Sequence, residues 1–356
     1  MFTFKQPSVI VAALAVLVLA ACQKSDDATP QGAYAEGLWV VNEGAFQNGT
    51  GTLSFLRNGT TLTAENDVFN TVNKRPLGNI AQSATIFNDK IYIVINNAKK
   101  VEVAAATDLR EVATITGLEM PRYFLGISSN QAYISQWGLA GVNGSIQVVN
   151  LQTNTVTQTI PTGKGAEQMV KVGDKVYVAC SGGFDKDNKV QVIDTKTNTV
   201  SASITVADNP SSLQLDANGK LWVLCSGASD WTNPRNNTSA ALIRLNTSTN
   251  AIEQRFNFAT NGAANLTING AKNTLYYTFG GRVFAQNISA ATLNTTPAIN
   301  RGFYALGYDT KREQLYAADA KNFVSNGWVL RYNPNTMQAA DSVQVGIIPT
   351  YFLPTN

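Results

Sequence analysis

The chain has 356 residues and a formal net charge of +3, from 27 Lys and Arg against 24 Asp and Glu. Apolar residues make up 44 % and charged residues 14 %, which excludes a disordered chain, and the basic residues are scattered, so no stripe marks a nucleic-acid surface. There is no histidine, which excludes His-based metal sites, His general bases and Ser-His-Asp triads together.

In chain order, Lys5 precedes an almost unbroken apolar run from Val9 to Ala21. Its 13 residues are too few to span a bilayer and fit the core of a secretory signal. The run ends Leu19-Ala20-Ala21-Cys22, which resembles a bacterial lipobox, and the resemblance implies that Cys22 is the lipidated first residue of the mature protein. Each buried CH₂ contributes roughly 0.8 kcal/mol, so several acyl chains would anchor it stably. The next residues, Gln23-Lys24-Ser25-Asp26-Asp27, resemble the surface-export signal of Bacteroidetes lipoproteins and imply an outer-membrane, cell-surface location. Residues 1–21 are expected to be a lipoprotein signal peptide, 22–36 a flexible tether and 37–356 the folded domain.

The rest of the chain repeats one pattern. Short strands with an aromatic second residue occur at Leu38-Trp39, Ile91-Tyr92, Ala132-Tyr133, Val176-Tyr177, Leu221-Trp222, Leu275-Tyr276 and Leu315-Tyr316. Their spacings of 53, 41, 44, 45, 54 and 40 residues are those of β-propeller blades. Turn signals at Asn88-Asp89, Gly173-Asp174, Asn218-Gly219 and Lys272-Asn273 predict hairpins between the first and second strands. An alternating third strand follows, as in Lys189 to Asp194, then a polar turn such as Thr197-Asn198-Thr199, then a fourth strand. Asn and Thr together make up roughly a fifth of the chain, which suits turns and strands, and no stretch predicts a substantial helix. The expected fold is all-β, a seven-bladed propeller of four-stranded antiparallel blades. The domain enters at Trp39 on a second strand. Pro349-Thr350-Tyr351-Phe352-Leu353 matches first-strand starts such as Pro121-Arg122-Tyr123-Phe124-Leu125, so the C-terminal strand is expected to close the ring.

These repeats resemble the YncE-like seven-bladed propellers. The opening Leu38-Trp39-Val40-Val41-Asn42-Glu43-Gly44, with Gly51-Thr52-Leu53-Ser54-Phe55, is similar to the start of Bacteroidetes surface lipoprotein propellers that include the BtuG-like cobalamin-binding proteins. The resemblance implies a non-catalytic protein that captures cobalamin or a related corrinoid and passes it to a TonB-dependent outer-membrane transporter. The alternative is a surface propeller that binds a protein or polysaccharide and no small molecule.

In a propeller, the loops entering each blade and those between strands two and three share one face, where ligands meet the axis. On that face the candidate ligand-binding residues are Asn42, Glu43, Phe46, Asn97, Arg122, Gln136, Trp137, Gln168, Phe184, Trp231, Phe279 and Tyr304. Aromatics supply rigid apolar area, while Asn and Gln both donate and accept hydrogen bonds, a mixture suited to a bulky neutral ligand rich in amides or hydroxyls. Catalytic patterns are weak. Asp185-Lys186-Asp187-Asn188 lacks the Gly and terminal Glu of a calcium loop, and Gly163-Lys164-Gly165 lacks the spacing of a phosphate loop. Glu43 and Glu167 could in principle act as an acid–base pair, but nothing in their spacing supports it. No metal or cofactor is expected. Cys180 and Cys225 end equivalent strands of neighbouring blades, roughly 8–10 Å apart and beyond the ~7 Å disulfide limit, so free buried thiols are expected.

Overall fold

The seven aromatic residues of the second strands are where blade meets blade. In the computed structural model, which describes residues 1–3, 32–46, 49–57 and 59–355, Trp39, Tyr92, Tyr133, Tyr177, Trp222, Tyr276 and Tyr316 are all buried. Side chains of a strand alternate between sheet faces, and here both faces meet a neighbouring sheet. Runs such as Ile91-Tyr92-Ile93-Val94-Ile95 are therefore buried throughout. Tyr92 stacks on Phe124 of the next blade's innermost strand at 3.9 Å, Tyr276 on Tyr308 at 5.7 Å, and Tyr316 meets Phe352 at 6.1 Å. Two phenols reach further. Tyr133 donates to Asn198 Oδ1, and Tyr177 donates to Asn250 Oδ1 at 2.8 Å, each in the outer turn of the following blade.

Seven antiparallel sheets result, with strands numbered outward from the axis in each. Blade three is typical, with Pro121–Ser128, Gln131–Gln136, Ser145–Asn150 and Thr155–Pro161. Blade one is completed from the far end of the chain. Pro349–Pro354 pairs antiparallel with Leu38–Asn42, which is followed by Thr52–Arg57 and Thr63–Glu65. The closure is latched by Thr355. Its Oγ1 accepts from Gly37 N at 2.8 Å and donates to the Gly37 carbonyl at 3.1 Å. Phe352 is buried beside Gly307 of blade seven, where an added Cβ would come within 2.5 Å of the ring-closing strand.

One feature differs from the expected four-stranded blades. Blade six has three strands, Ala264–Ile268, Thr274–Phe279 and Arg282–Asn287, and only a single bridge, Val283 to Ile299, stands in place of a fourth. Side chains cover that edge instead: Asn294 Nδ2 donates to the Ala285 carbonyl at 2.9 Å, and Gln286 Nε2 to the Thr292 carbonyl at 3.1 Å. As expected, the described residues hold no substantial helix: one short α-helix, Val68–Asn73, links blades one and two and buries Val68 and Phe69. Six residues are too few to show a helical period in sequence.

The Asn and Thr content has a local cause. The outer turns are Asx turns, in which Asn150, Asp194 and Asn246 accept through Oδ1 from backbone N–H groups two and three residues on. Asn154, Asn198 and Asn250 then take the left-handed conformation that asparagine tolerates. The inner turns are mixed. Asn88 and Asp89 both have positive φ, as a type I′ hairpin requires. In blade five the loop is longer and closes on buried Asp216, whose Oδ2 also accepts from Trp222 Nε1 at 2.9 Å.

Cys180 and Cys225 are free and buried, and burial pushes both thiols up to about 12. Residues 4–21 of the expected signal peptide, the expected lipidation site Cys22 and most of the expected tether lie outside the described residues. Truncating Phe352→Ala removes a ring that joins the two ends of the chain. It is expected to cost about 3–5 kcal/mol, read as a lower urea midpoint at unchanged slope. An unchanged midpoint would show that the last strand does not hold the ring shut.

Candidate functional site

The axial site is built by one backbone device used repeatedly. In five blades the residue before the innermost strand is left-handed: Ile80 (φ 58°), Met120 (53°), Gly165 (63°), Asn209 (55°) and Ile348 (55°). Pairing then slips in a bulge, between Ala81 and Ser83, Pro121 and Tyr123, Ala166 and Met169, and Pro210 and Ser212; blade one skips Thr350 in the same way. Blade six bulges between Ala264 and Thr267. A bulged residue leaves the ladder and its side chain is re-aimed. The residues concerned are Gln82, Arg122, Glu167, Ser211, Asn265 and Thr350, one from each of six blades. All but Gln82 line an axial cavity of about 510 Å³, and Gln82 accepts from Arg122. Below them the cavity is walled by Leu125, Val170, Gln214, Thr267, Tyr308 and Phe352. The axial edges of the innermost strands are satisfied across blades. Ser83 Oγ donates to the Arg122 carbonyl at 2.7 Å, and Gln168 Oε1 accepts from Leu213 N at 2.9 Å.

Arg122, Trp137 and Glu167 form a cluster at this rim, with Glu167 buried and the other two partly buried. Glu167 Oε1 accepts from Arg122 Nε at 3.0 Å and from Trp137 Nε1 at 3.0 Å, and lies 2.9 Å from Arg122 Nη2. The guanidinium sits 4.3 Å from the centroid of the Trp137 ring, a cation–π contact. Burial pushes the Glu167 carboxyl above its ordinary range, against the pull of Arg122. Glu43 stands nearby with Oε1 accepting from Tyr304 OH at 3.0 Å, and burial raises it as well.

Exposed aromatics gather on the same face. Phe46, Phe184, Trp231 and Phe323 are in loops between second and third strands, and Tyr304 is at the entry to blade seven. Trp231 is 94 % exposed and shares an open groove with Phe184, Asp185 and Asp230. Phe184 meets Trp137 edge-on at 5.4 Å, which joins this groove to the Arg122 cluster. Asn97 is exposed at the rim and donates to Asn79 Oδ1 at 3.1 Å.

Three candidates are corrected. Asn42 is fully buried inside blade one, where Nδ2 donates to Thr52 Oγ1 at 3.1 Å and Ser54 Oγ at 3.0 Å. Gln136 is buried and holds Glu119 N and Ser145 Oγ. Both are the last residue of a second strand, and the pleat turns them into the blade. Phe279 packs on Phe258 at 4.8 Å beside Phe284, lining a separate apolar pocket with Leu293 from the segment that replaces blade six's fourth strand. In the Asp185-Lys186-Asp187-Asn188 loop, Asp187 accepts from Lys164 N and Asp185 pairs with the Lys164 ammonium. Among the described residues, no group of three acidic or cysteine side chains is arranged for a metal.

A family described as "Domain of unknown function (DUF5074)" matches residues 36–355. The chain belongs to this family. No curated protein matches it. This DUF5074 chain is similar in structure to a quinonprotein alcohol dehydrogenase-like protein from Bacteroides thetaiotaomicron, with a TM-score of 0.68 at 12 % identity over 91 % of this chain and 79 % of the other. It is also similar to the hydrazine synthase of Kuenenia stuttgartiensis, with a TM-score of 0.57 at 13 % identity over 76 % and 88 % of the two chains. At these identities the likeness shows the fold alone.

Sequence reasoning misses Gln82 and Thr350, and it misses the pairing of Arg122 with Glu167. The available signal is positional: 45 residues, one blade period, separate the two, and both are the second residue of an innermost strand.

Left-handed isoleucine is strained because a branched Cβ crowds the backbone. Ile80→Asn and Ile80→Ala remove the same apolar contacts, but asparagine tolerates this conformation. The Asn variant is expected to be the more stable by about 1 kcal/mol in urea unfolding; equal midpoints would show that Ile80 is unstrained. For Glu43, a raised folded-state value means that its stabilising contribution is present below about pH 4.5 and lost as pH climbs through the raised value. Wild type is therefore expected to lose stability relative to Glu43→Gln as pH rises from 4 to 7. A gap independent of pH would count against a buried, titrating Glu43.

Proposed function

We propose that this propeller is a non-catalytic, lipid-anchored surface protein that captures a bulky neutral ligand on its axial face, with cobalamin or a related corrinoid the leading candidate. The observation that carries the reading is a concave cavity of about 510 Å³ with polar side chains at its rim, beneath loops that hold the exposed aromatics. Small-molecule sites are concave, of about 300–1,000 Å³, and combine apolar walls with a few convergent polar groups. A ring of rigid blades holds those groups in place before binding, which lowers the ordering cost. The corrinoid itself is suggested by the resemblance of the Leu38 to Gly44 opening to cobalamin-binding surface propellers. The same resemblance suggests hand-over to a TonB-dependent transporter beneath the ring. On this reading Phe184, Trp231 and Tyr304 lie against the apolar body of the ligand, while Asn97, Gln168 and the Arg122 cluster meet its polar fringe.

Isothermal titration of the purified chain with cyanocobalamin tests the reading. One-to-one binding is expected, weakened by roughly tenfold or more in Trp231→Ala, since an exposed tryptophan anchor typically contributes above about 1 kcal/mol. No heat and no change in the visible spectrum at high micromolar ligand would remove cobalamin. A surface polysaccharide or protein would then be the partner to seek, with the Trp231 groove as its contact.

A further inference from the structure

Strand direction marks the two faces of the ring. Each innermost strand begins at the axial rim and ends on the opposite face, and the second strand returns from there. Pro349–Pro354 follows this course, from Thr350 at the cavity to Pro354, which pairs with Leu38. The chain therefore enters the domain on the face opposite the cavity. It is fastened there before it becomes a strand. The Ala33 carbonyl accepts from Arg57 Nη1 at 3.0 Å, and Thr355 holds Gly37. Tyr34 is buried, with its ring centroid 4.9 Å from that of Trp39 and 5.0 Å from that of Phe55. Gly32 abuts the outer turn of blade two so closely that an added Cβ would come within 2.3 Å of the Thr107 carbonyl oxygen. Outer turns and first hairpins both lie on the face away from the cavity.

The expected lipidation site, Cys22, is ten positions before Gly32. Ten residues span at most about 33–36 Å. The innermost strands Pro349–Pro354 and Pro121–Ser128 have six and eight residues. At roughly 3.3 Å per residue such strands are about 20–27 Å long, and loops add to the ring at both ends. With the cavity turned toward the bilayer, Gly32 would stand higher than that above the surface. The ten residues would have to run nearly straight down the outside of the ring, and each residue held straight forfeits backbone freedom. With the cavity turned away, the same residues meet no such demand.

Exposed apolar side chains divide the same way. Phe46, Leu139, Phe184, Trp231 and Phe323 stand in loops on the cavity face. Among the described residues, no hairpin or outer turn of the opposite face exposes a large apolar side chain. A polar face of this kind rests against hydrated lipid headgroups with nothing to bury beneath them.

We infer that the face carrying the hairpins and outer turns is the membrane-facing surface of this protein, and that the axial cavity opens toward the medium. The inference rests on the Cys22 anchor of the reading above and is independent of which ligand the cavity takes. It also constrains that reading. A transporter in the same membrane meets the turn face, so the ligand leaves the cavity before it passes on, and the cavity does not dock on the transporter while the tether keeps its natural length.

The test uses the full-length chain, purified with its lipid and inserted into vesicles of phosphatidylethanolamine and phosphatidylglycerol. Two variants each carry one added thiol: Ser248→Cys in the outer turn of blade five, and Thr260→Cys on the cavity face between blades five and six. Both positions are exposed, while Cys180 and Cys225 are buried, so a fluorophore attaches to the added thiol. Headgroup-labelled lipid is the energy acceptor. Greater transfer is expected from Ser248→Cys than from Thr260→Cys. With the lipid on Cys22 shown by the mass of the chain, equal transfer, or greater transfer from Thr260→Cys, would overturn the orientation and leave the anchor standing. A chain without lipid would overturn both. Inserting about thirty Gly and Ser residues between Asp27 and Ala28 is expected to shrink the difference, because a long linker of this composition frees the domain to turn. A difference that persists would overturn the tether as its cause and assign lipid binding to the turn face itself. Absence of cyanocobalamin binding removes the ligand and leaves the orientation intact.

Discussion

The contact on which the rest of the molecule depends is the packing of one aromatic per blade against the innermost strand of the next. A four-stranded antiparallel sheet has two faces, and in this fold both must be covered by other sheets. The second strand, central in its blade, carries the largest buried side chain for that purpose. Tyr92 on Phe124 and Tyr276 on Tyr308 are near-parallel stacks, with interplanar angles of 9° and 10°. Each contact sets the angle between two blades, and the set of angles must close into a ring. Closure is therefore a global demand, and it explains why the strand that completes blade one comes from the far end of the chain. Where that strand passes blade seven, Gly307 leaves room for Phe352, because a Cβ there would come within 2.5 Å of it.

The axial site follows from the geometry of that ring. Innermost strands have one edge facing the axis, and an edge without partners is unstable unless side chains cover it. Ser83, Gln168 and Gln214 do so by bonding the adjacent blade's backbone. At the top of the strands the bulges free one residue per blade from the ladder, and those residues converge because the strands converge. A left-handed residue precedes the bulge in five blades, and in two of them it is an isoleucine, a costly choice for a β-branched side chain. Strain of this kind persists only where the surrounding structure over-determines it. Here the neighbouring blades impose it, and its product is a set of axial side chains held rigidly from six directions.

The fold was largely legible before the structure. A repeated aliphatic–aromatic pair at a spacing of 40 to 54 residues reports blades directly, because every blade meets the same two neighbours and needs the same wedge. The matching Pro-initiated starts at Pro121 and Pro349 reported ring closure for the same reason. The missing fourth strand of blade six was not legible, since side-chain amides of Gln286 and Asn294 replace the ladder and carry no periodic signal. The site was legible only as a face. Glu43, Arg122, Trp137, Gln168 and Tyr304 are on it as read, whereas Asn42 and Gln136 turn inward. A loop-end residue can point either way, and one step along a pleated strand reverses it.

What the sequence determined by itself is what repetition encodes: seven blades, a closed ring, buried free thiols and one face rich in aromatics. These are local or periodic properties, written again in each blade. What only the tertiary structure decided is which side chains meet across blades. Arg122, Trp137 and Glu167 become one cluster because a bulge turns two of them toward the axis and the ring brings adjacent blades together there. Such an arrangement depends on distances between strands a full blade apart in sequence, and residue order alone does not contain those distances.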